Sequence, residues 1–287
     1  MIMIIKRNFL LYFRNRSGVV LSLLGAMISF ILYLVFLKAN IKTSWSQVPH
    51  TNQLLDSWLI GGTLAITGLT TTFSSFSQLA KDRESNVTQD LVLTDLGRWG
   101  LSISYLLSTA IIGFLMQIIM FAIMEGYFIW EDQIVVDWTL LPQILLIMVL
   151  NALLCSIFNG ILVNHFKSVD TLGKLATIIG AASGFLVGTY IPIGVLPSFA
   201  QTIMKCTPST YIASLFRQVM MKDSLATAFH DNTAAQDYFE KMMGIQLKWE
   251  SLLTMKETYY IVVVVLVALL VIWTIQQLAT NRWTKIA

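Results

Sequence analysis

Six long stretches of this sequence contain no charged side chain. They run over residues 17–37, 57–80, 99–124, 138–164, 175–204 and 258–281. An ionised side chain at the centre of a bilayer costs about 2.5 to 3.5 kcal/mol, so uncharged stretches are the segments that can cross a membrane. About 20 apolar residues suffice for one transmembrane helix. The pattern predicts an all-α integral membrane protein with six transmembrane helices.

The composition agrees with a lipid environment. Only 12% of the 287 residues are charged and 56% are hydrophobic, whereas soluble domains carry about 25% charged residues. The mean hydropathy is +0.70. We therefore expect the lipid bilayer to be the main surrounding of this chain, and we expect no nucleic-acid partner.

The fifth uncharged stretch is too long for one helix and contains Pro192 and Pro197. Proline removes a backbone donor and clashes with the preceding turn, so the fifth span is expected to end near Ile191, at 175–191. Residues 192–257 are expected outside, beginning with re-entrant helices that pack against protein; a surface loop is the alternative. Further along, Asp231 or Asn232 is expected to cap a helix that ends near Gly244.

The N-terminal residues 1–16 are predicted to form a separate element, an amphipathic helix at the membrane interface. Its apolar residues can share one face while its basic residues lie among the headgroups: Ile5, Phe9, Leu10 and Phe13, with Lys6, Arg7 and Arg14. A basic tail that only sets the topology is the alternative. Residues 17–287 are predicted to form the transmembrane domain.

The distribution of Lys and Arg predicts the orientation in the membrane. The predicted external loop at residues 125–137 has four acids and no base. Positive charges favour the cytoplasmic side, so we expect both termini in the cytoplasm and a location in the plasma membrane. The basic residues then predicted inside are Lys6, Arg7, Arg14, Arg16, Lys81, Arg83, Arg98, Lys167, Lys174, Arg282 and Lys285.

Motifs for catalysis or metal binding are missing from the sequence. The only Gly-Lys pair, Gly173 and Lys174, lacks the glycine-rich start and the Ser or Thr that complete an ATPase phosphate-binding loop. The three histidines are widely separated and predicted on both sides of the membrane, which argues against a metal site: His50, His165 and His230. We expect no catalytic residue, no metal and no cofactor bound by this chain.

One face of the fifth span consists of small residues. Gly180, Gly184 and Gly188 recur every four residues, a spacing that lets two helices approach closely. We interpret these glycines as a helix-packing or dimer seam.

The second span carries polar side chains along one face at helical spacing. They are candidates to line a weakly polar translocation path. Hydroxyl groups also bond to carbonyls of their own helix, so packing is the alternative. The residues are Thr63, Thr67, Thr71, Ser74 and Gln78.

The loop after the second span has the densest cluster of charges, at residues 81–84, followed by a run to Leu93 that is compatible with a short amphipathic helix. The opposite charges nearly cancel, which suits a helix that lies across the surface and docks a partner protein. Solvated charge without a partner is the alternative.

Residues 82–94, DRESNVTQDLVLT, resemble the loop after the second span of type-2 ATP-binding-cassette (ABC) permeases. That loop commonly reads acid, base, Glu, any, Gly-Thr, any, Glu, any, Leu-Leu, any, Thr-Pro. Asn86 replaces the glycine, and Asn tolerates a left-handed turn better than most residues; the other departures include Val87, Gln89 and Asp95. A second resemblance, to the external re-entrant helices of that family, lies in Pro192, Leu196, Pro197, residues 207–211, Phe216 and Arg217.

The resemblance implies the permease subunit of an ABC exporter, which moves an amphipathic drug, peptide or lipid-like molecule outward. It implies a second permease copy or homologue and separate cytoplasmic ATPase subunits, which bind ATP and Mg and push on the charged loop. A membrane scaffold or sensor and a channel without ATP-driven transport are the alternatives. The implied coupling residues are Lys81, Asp82, Arg83, Glu84, Asn86, Val87, Asp90 and Leu91.

Overall fold

The computed structural model describes residues 1–45, 47–49, 51–132, 137–166, 168–230 and 232–283. It is 85% helical and its described residues contain no β-strand, which confirms the predicted all-α class. The sequence-based expectations for His50, Lys167, Asp231 and Lys285 concern residues outside this part of the chain.

The helices, in chain order, are α1 (Ile2–Arg14), α2 (Arg16–Ser22), α3 (Leu24–Leu32), α4 (Lys38–Ser44), α5 (Thr51–Glu84), α6 (Val87–Val92), α7 (Gly97–Asp132), α8 (Leu141–Val163), α9 (Val169–Leu186), α10 (Ser198–Lys205), α11 (Pro208–Met220), α12 (Lys222–Phe229), α13 (Thr233–Met243) and α14 (Met255–Trp283). A π-helical turn, Tyr33–Leu37, joins α3 to α4. Short 3₁₀ turns, Trp138–Leu140 and Ile193–Val195, precede α8 and α10.

Five helical segments in the described part of the chain are long and apolar enough to cross a membrane. They are Leu24–Ser44, Gly97–Asp132, Trp138–Val163, Val169–Leu186 and Met255–Ala279. The predicted second span lies within α5, which is not among the five because its many Thr, Ser and Gly residues make it less apolar. The count of six spans therefore stays a prediction.

Helix α5 lies at the centre of the bundle. It has 34 residues, which corresponds to a length of about 50 Å, and it packs against α3, α7, α8, α9 and α11. Its residues are nearly all buried from Leu54 to Phe76. The least apolar long helix is thus surrounded by protein, whereas only 11% of the apolar window of α14 is buried inside the protein. This is the arrangement expected when the surroundings of the bundle are lipid.

The first long helix continues past the end predicted from the uncharged stretch. It extends through Lys38 to Ser44, because the Lys38 ammonium lies between two carboxylates, Asp56 at 3.1 Å and Asp132. A charge that is paired can be placed where an isolated charge cannot. At its other end this helix begins at Leu24, since residues 16–22 form the separate helix α2.

The end predicted for the fifth span, near Ile191, is wrong by about one turn. Helix α9 ends at Leu186, and Gly188 adopts a left-handed φ of +70°. The backbone amides of Thr189 and Tyr190 both donate to the Gly184 carbonyl. A left-handed glycine of this kind is a common helix terminator. Gly188 therefore ends α9, and Pro192 lies after that turn.

The segment after α9 packs back onto the bundle. Helix α11 lies against α5, α8 and α14, and its residues 209–219 are all buried. Its interpretation as a re-entrant helix stays a prediction. The predicted capping of α13 is confirmed at both ends: the Asn232 side chain accepts from the Ala235 amide at 3.1 Å, and Gly244 follows the last turn at φ +66°.

The bundle has two ends, which we name by their short helices. The α6 end holds α1, α6, the start of α9 and the last turns of α14. Here Arg7 of α1 donates to Asp82 of α5, and Asn164, directly after α8, donates to Gln276 of α14. The α13 end holds α12 and α13, where the Trp58 indole donates to the Met243 carbonyl at 2.6 Å. The helices of both chain termini therefore lie at the same end.

Candidate coupling site and translocation path

The predicted coupling residues lie at the α6 end, but they are not all on the surface. Lys81, Glu84, Asn86 and Asp90 are exposed, and Arg83, Val87 and Leu91 are partly covered. The short helix expected after the charge cluster is present as α6, and it packs against α5 and α7. Asn86 precedes it at a left-handed φ of +62°, the conformation for which its amide side chain suits it. A short helix is therefore presented between two long ones.

Asp82 differs from its neighbours because it is buried, with 2% of its surface exposed. Its carboxylate accepts two hydrogen bonds from the Arg7 guanidinium, at 2.8 and 2.9 Å, one from Gln78 at 2.8 Å and one from the Tyr105 hydroxyl. From the sequence alone, Asp82 is predicted among the docking charges and Arg7 among the lipid headgroups. The structure instead joins them in a bidentate ion pair that connects α1, α5 and α7, because a carboxylate at this depth needs a cation.

The same contacts set the ionisation of Asp82, which lies beyond the predicted span 57–80. Burial raises the pKa of the carboxyl, but the hydrogen bonds from Arg7, Tyr105 and Gln78 outweigh burial, and the net pKa lies below its ordinary value. Asp82 is therefore ionised at neutral pH.

Replacing Asp82 with asparagine is expected to lower the free energy of unfolding by about 2 to 3 kcal/mol at pH 7, because it leaves a partly buried guanidinium without its anion. A carboxyl whose folded pKa is depressed stabilises the fold fully above its unfolded pKa of about 3.9, and this stability is lost as the pH falls through the folded pKa. Thermal unfolding of the detergent-purified chain checks this. The unfolding temperatures of wild type and Asp82→Asn should differ at neutral pH and become equal in acid.

The exposed pair of Asp170 and Lys174 supplies the control. Its atoms are as close, at 2.7 Å, but both side chains are 74% exposed. Asp170→Asn should change the unfolding temperature little, since exposed pairs contribute about 0.5 kcal/mol. Equal shifts for the two variants would contradict the network around Asp82.

Arg83 and Glu84 connect the end of α5 to α8 and α9. The Arg83 guanidinium donates to the Asn164 side chain at 2.6 Å, directly after α8. The Glu84 carboxylate accepts from the Val169 backbone amide at 2.6 Å, at the first residue of α9. A carboxylate is favourable at a helix N-terminus. A displacement of α6 and the end of α5 would therefore act directly on the ends of two further helices.

The threonines predicted to line a path are buried between helices. Thr63, Thr67 and Thr71 have no exposed surface, whereas Ser74 and Gln78 are partly covered. Thr67 donates to the Thr63 carbonyl at 2.8 Å, and Thr71 donates to the Thr67 carbonyl at 2.6 Å. In this conformation these two hydroxyls bond within α5, as the packing alternative expects. Gln78 instead donates to the Asp82 carboxylate.

Polar side chains on α7 and α8, which are not among the predicted site residues, join these helices to α5. Asn151 donates to the Gln117 side chain at 2.9 Å and to the Leu64 carbonyl at 3.2 Å. Asn159 donates to the Thr72 hydroxyl at 2.7 Å. Such bonds hold membrane helices together. The signal that could have revealed them is an amide side chain inside an uncharged stretch.

The three glycines of the predicted seam have different surroundings. Gly180 lies against Gly25, where a side chain on Gly25 would come within 3.5 Å of the Gly180 Cα, so α3 and α9 approach closely here. Gly184 is covered by the Tyr190 ring. Gly188 lies beyond the end of α9, so its assignment to a helix face is wrong. The Gly180 backbone and Gly184 thus take part in contacts within the chain, whereas a Cβ on Gly180 would meet no atom within 4 Å. A role of these glycines between subunits stays a prediction.

Arg217 is a buried cation. The sequence indicated it only through the resemblance to the external re-entrant helices of the family. Its guanidinium donates to three carbonyls, those of Trp58, Gly188 and Gly244, at 3.2 to 3.3 Å. Its charge lies 4.6 Å from the centre of the Trp58 ring, a favourable cation–π distance. Burial lowers the pKa of the guanidinium to about 9, so it is charged at neutral pH. Arg217 therefore holds α5, the turn after α9 and the end of α13 together.

These features define the class of the protein: an all-α, multi-pass membrane protein in which a short surface helix is connected to the ends of the long helices. The chain matches the family described as ABC-2 type transporter over residues 1–221. It belongs to this family, which confirms the resemblance drawn from residues 82–94. It is a membrane permease component of an ABC transporter and not itself catalytic. A search of curated proteins and a search of solved structures each gave no match.

Proposed function

We propose that this chain is the permease subunit of an ABC exporter, which moves an amphipathic drug, peptide or lipid-like molecule outward across the plasma membrane. Separate ATPase subunits bind ATP and Mg and supply the energy, and a second permease copy or homologue completes the pathway. Family membership supports the permease role. The cluster of basic residues at the α6 end supports its placement in the cytoplasm.

The observation that carries the coupling proposal is the pair of contacts from Arg83 to Asn164 and from Glu84 to Val169. An ATPase can shift the membrane helices only if it contacts the segment differently in its open and closed states. Residues 81–91 offer a surface with both charge signs at that place. The contacts of Arg83 and Glu84 would transmit a displacement of residues 81–91 to α8 and α9.

Polar lining of the pathway is part of the same proposal. Thr63, Thr67 and Thr71 are covered by neighbouring helices in this conformation, so they would reach a cargo only when α5 and its neighbours move apart. In that state the Thr67 and Thr71 hydroxyls can remain bonded within α5 while the methyl groups and oxygens of these side chains face the path.

Replacing Glu84 with alanine is expected to abolish most ATP-dependent export from vesicles while the complex still assembles. The loss should exceed about tenfold if the carboxylate carries the displacement to α9. Glu84→Gln keeps an oxygen that can accept from Val169 and should retain more export than Glu84→Ala. Asp170→Ala, an exposed acid at the same end, is the control and should transport normally.

Undiminished export in Glu84→Ala would contradict coupling through this residue. The function itself is tested by isolating the wild-type chain in mild detergent. A co-purified ATPase that is stimulated by cargo supports the exporter, whereas ionic currents without ATP would indicate a channel. If the chain is isolated from functional membranes and no ATPase accompanies it, a scaffold or sensor would be indicated.

A further inference from the structure

A cavity of about 550 Å³ lies at the α6 end, between the ends of α5, α7, α8 and α14, with α6 at its rim. Its walls combine apolar side chains with polar ones. Phe76, Leu101 and Trp273 form apolar surface, and Arg83 and Arg98 bring positive charge. Neither the threonine face of α5 nor the glycines of α9 belong to this cavity, so the predicted path and seam do not account for it.

The lining of the cavity contains two arginines and no acid among the residues that the structure describes. The acids on either side of Arg83 in the sequence are occupied elsewhere, Asp82 with Arg7 and Glu84 with the Val169 amide. Arg83 itself donates to the neutral Asn164 side chain. Burial lowers the pKa of its guanidinium, so an anion at this place would offset the cost of covering the charge.

The apolar wall lies between α7 and α14. Leu101 and Trp273 are themselves buried, whereas Leu93 and Arg98 in the same lining are exposed. The Trp99 and Trp273 rings lie 6.3 Å apart, edge to face. Trp99 begins the predicted third span, and Trp273 lies eight residues before the end of the predicted sixth span. Indole rings are favoured at the boundary between acyl chains and headgroups. A ligand here can keep an apolar chain against α7 and α14 and place an acidic group at the arginines.

We propose that this cavity binds an anionic phospholipid of the surrounding bilayer. Its phosphate accepts from Arg83 and lies near Arg98, and its acyl chains pack against Leu101 and Trp273. An anionic headgroup fits because phosphate is bound well by guanidinium donors. The site lies directly beneath α6, so its occupancy couples the lipid composition to the position of the predicted coupling segment. The binding itself depends neither on cargo nor on an ATPase.

Native mass spectrometry of the detergent-purified full chain tests the proposal. Phosphatidylglycerol and phosphatidylcholine with the same acyl chains are compared, together with soluble glycerol 3-phosphate. Phosphatidylglycerol should bind at least roughly tenfold more tightly than phosphatidylcholine. Both lipids carry a phosphate, but the choline ammonium cancels its charge and is repelled by the arginines. Glycerol 3-phosphate should bind weakly, because it lacks the chains. Equal retention of both lipids would overturn the proposal, and tight binding of glycerol 3-phosphate would overturn the role of the apolar wall.

Two variants locate the site. Arg83→Gln should weaken phosphatidylglycerol binding roughly tenfold, whereas Arg16→Gln, an exposed arginine on α2, should leave it unchanged. Leu93→Glu places an acid at the rim where the side chain is 86% exposed, so folding is preserved and binding of the anionic lipid should also fall. Unchanged binding in Leu93→Glu and Arg83→Gln, or an equal loss in Arg16→Gln, would overturn the proposal. Because no transport is measured, failure here leaves the exporter function standing.

Discussion

Replacing Arg217 with methionine is expected to lower the free energy of unfolding by about 3 to 5 kcal/mol. The guanidinium donates to the carbonyls of Trp58, Gly188 and Gly244, and the whole residue is 2% exposed. Methionine fills a similar volume but donates nothing, and each buried acceptor left without a donor costs about 1 to 3 kcal/mol. Thermal unfolding in detergent should show the loss, together with faster proteolysis near α13.

Two further variants sharpen this prediction. Arg217→Lys keeps the charge but has a single ammonium that cannot span the three carbonyls, so we expect it to recover only part of the lost stability. Arg14→Met removes an exposed arginine of α1 and should have little effect. If Arg217→Met unfolded at the same temperature as Arg14→Met, the three-carbonyl contact would not be a source of stability.

Replacing Gly194 with alanine is expected to displace α13 from the bundle at a cost of about 3 kcal/mol. A Cβ atom at Gly194 would lie 2.5 Å from the Met242 Cα and 2.8 Å from its carbonyl oxygen. These are backbone atoms, so no side-chain rotation relieves the clash, and overpacking of this kind costs about 1 to 3 kcal/mol or more. Hydrogen exchange should show lower protection of the α13 amides in the variant.

Gly126→Ala is the matched control, because a Cβ there meets no atom within 4 Å. This glycine lies within α7, where alanine is the better helix former, so stability should be unchanged or slightly higher. Protection of α13 that is the same in Gly194→Ala and wild type would show that Gly194 does not set the contact between α13 and the turn at Ile193–Val195.

Local sequence patterns were sufficient for the class of the fold and for several details. The uncharged stretches mark apolar segments whatever their neighbours are, because the cost of placing a charge in lipid depends on one side chain at a time. Asn86 and Gly244 were recognised for a similar reason: a left-handed residue and a helix cap are set by a few adjacent residues. The family resemblance of residues 82–94 also rests on one short segment.

Helix ends were predicted less well where distant residues take part. The helix at Leu24–Ser44 contains Lys38 because Asp56 and Asp132 neutralise its charge. A rule that ends a span at the first charged residue does not consider such distant partners. For α9 the proline rule predicts the end at Ile191, but the left-handed Gly188 ends the helix first. Both signals are visible in the sequence, but only the packed structure shows which one is used.

The membrane class, the approximate spans and the charged segment after the second span follow from hydropathy and charge order along the chain. The role of each charge does not. Arg7 and Asp82 are separated by 75 positions, and Arg217 and Trp58 by 159. These pairs form because folding brings their helices together, and burial then makes an unpaired charge costly. Tertiary packing alone therefore decided that Asp82 stabilises the bundle, that Arg217 holds three segments together, and that Arg83 faces a cavity with no acid among its described lining residues.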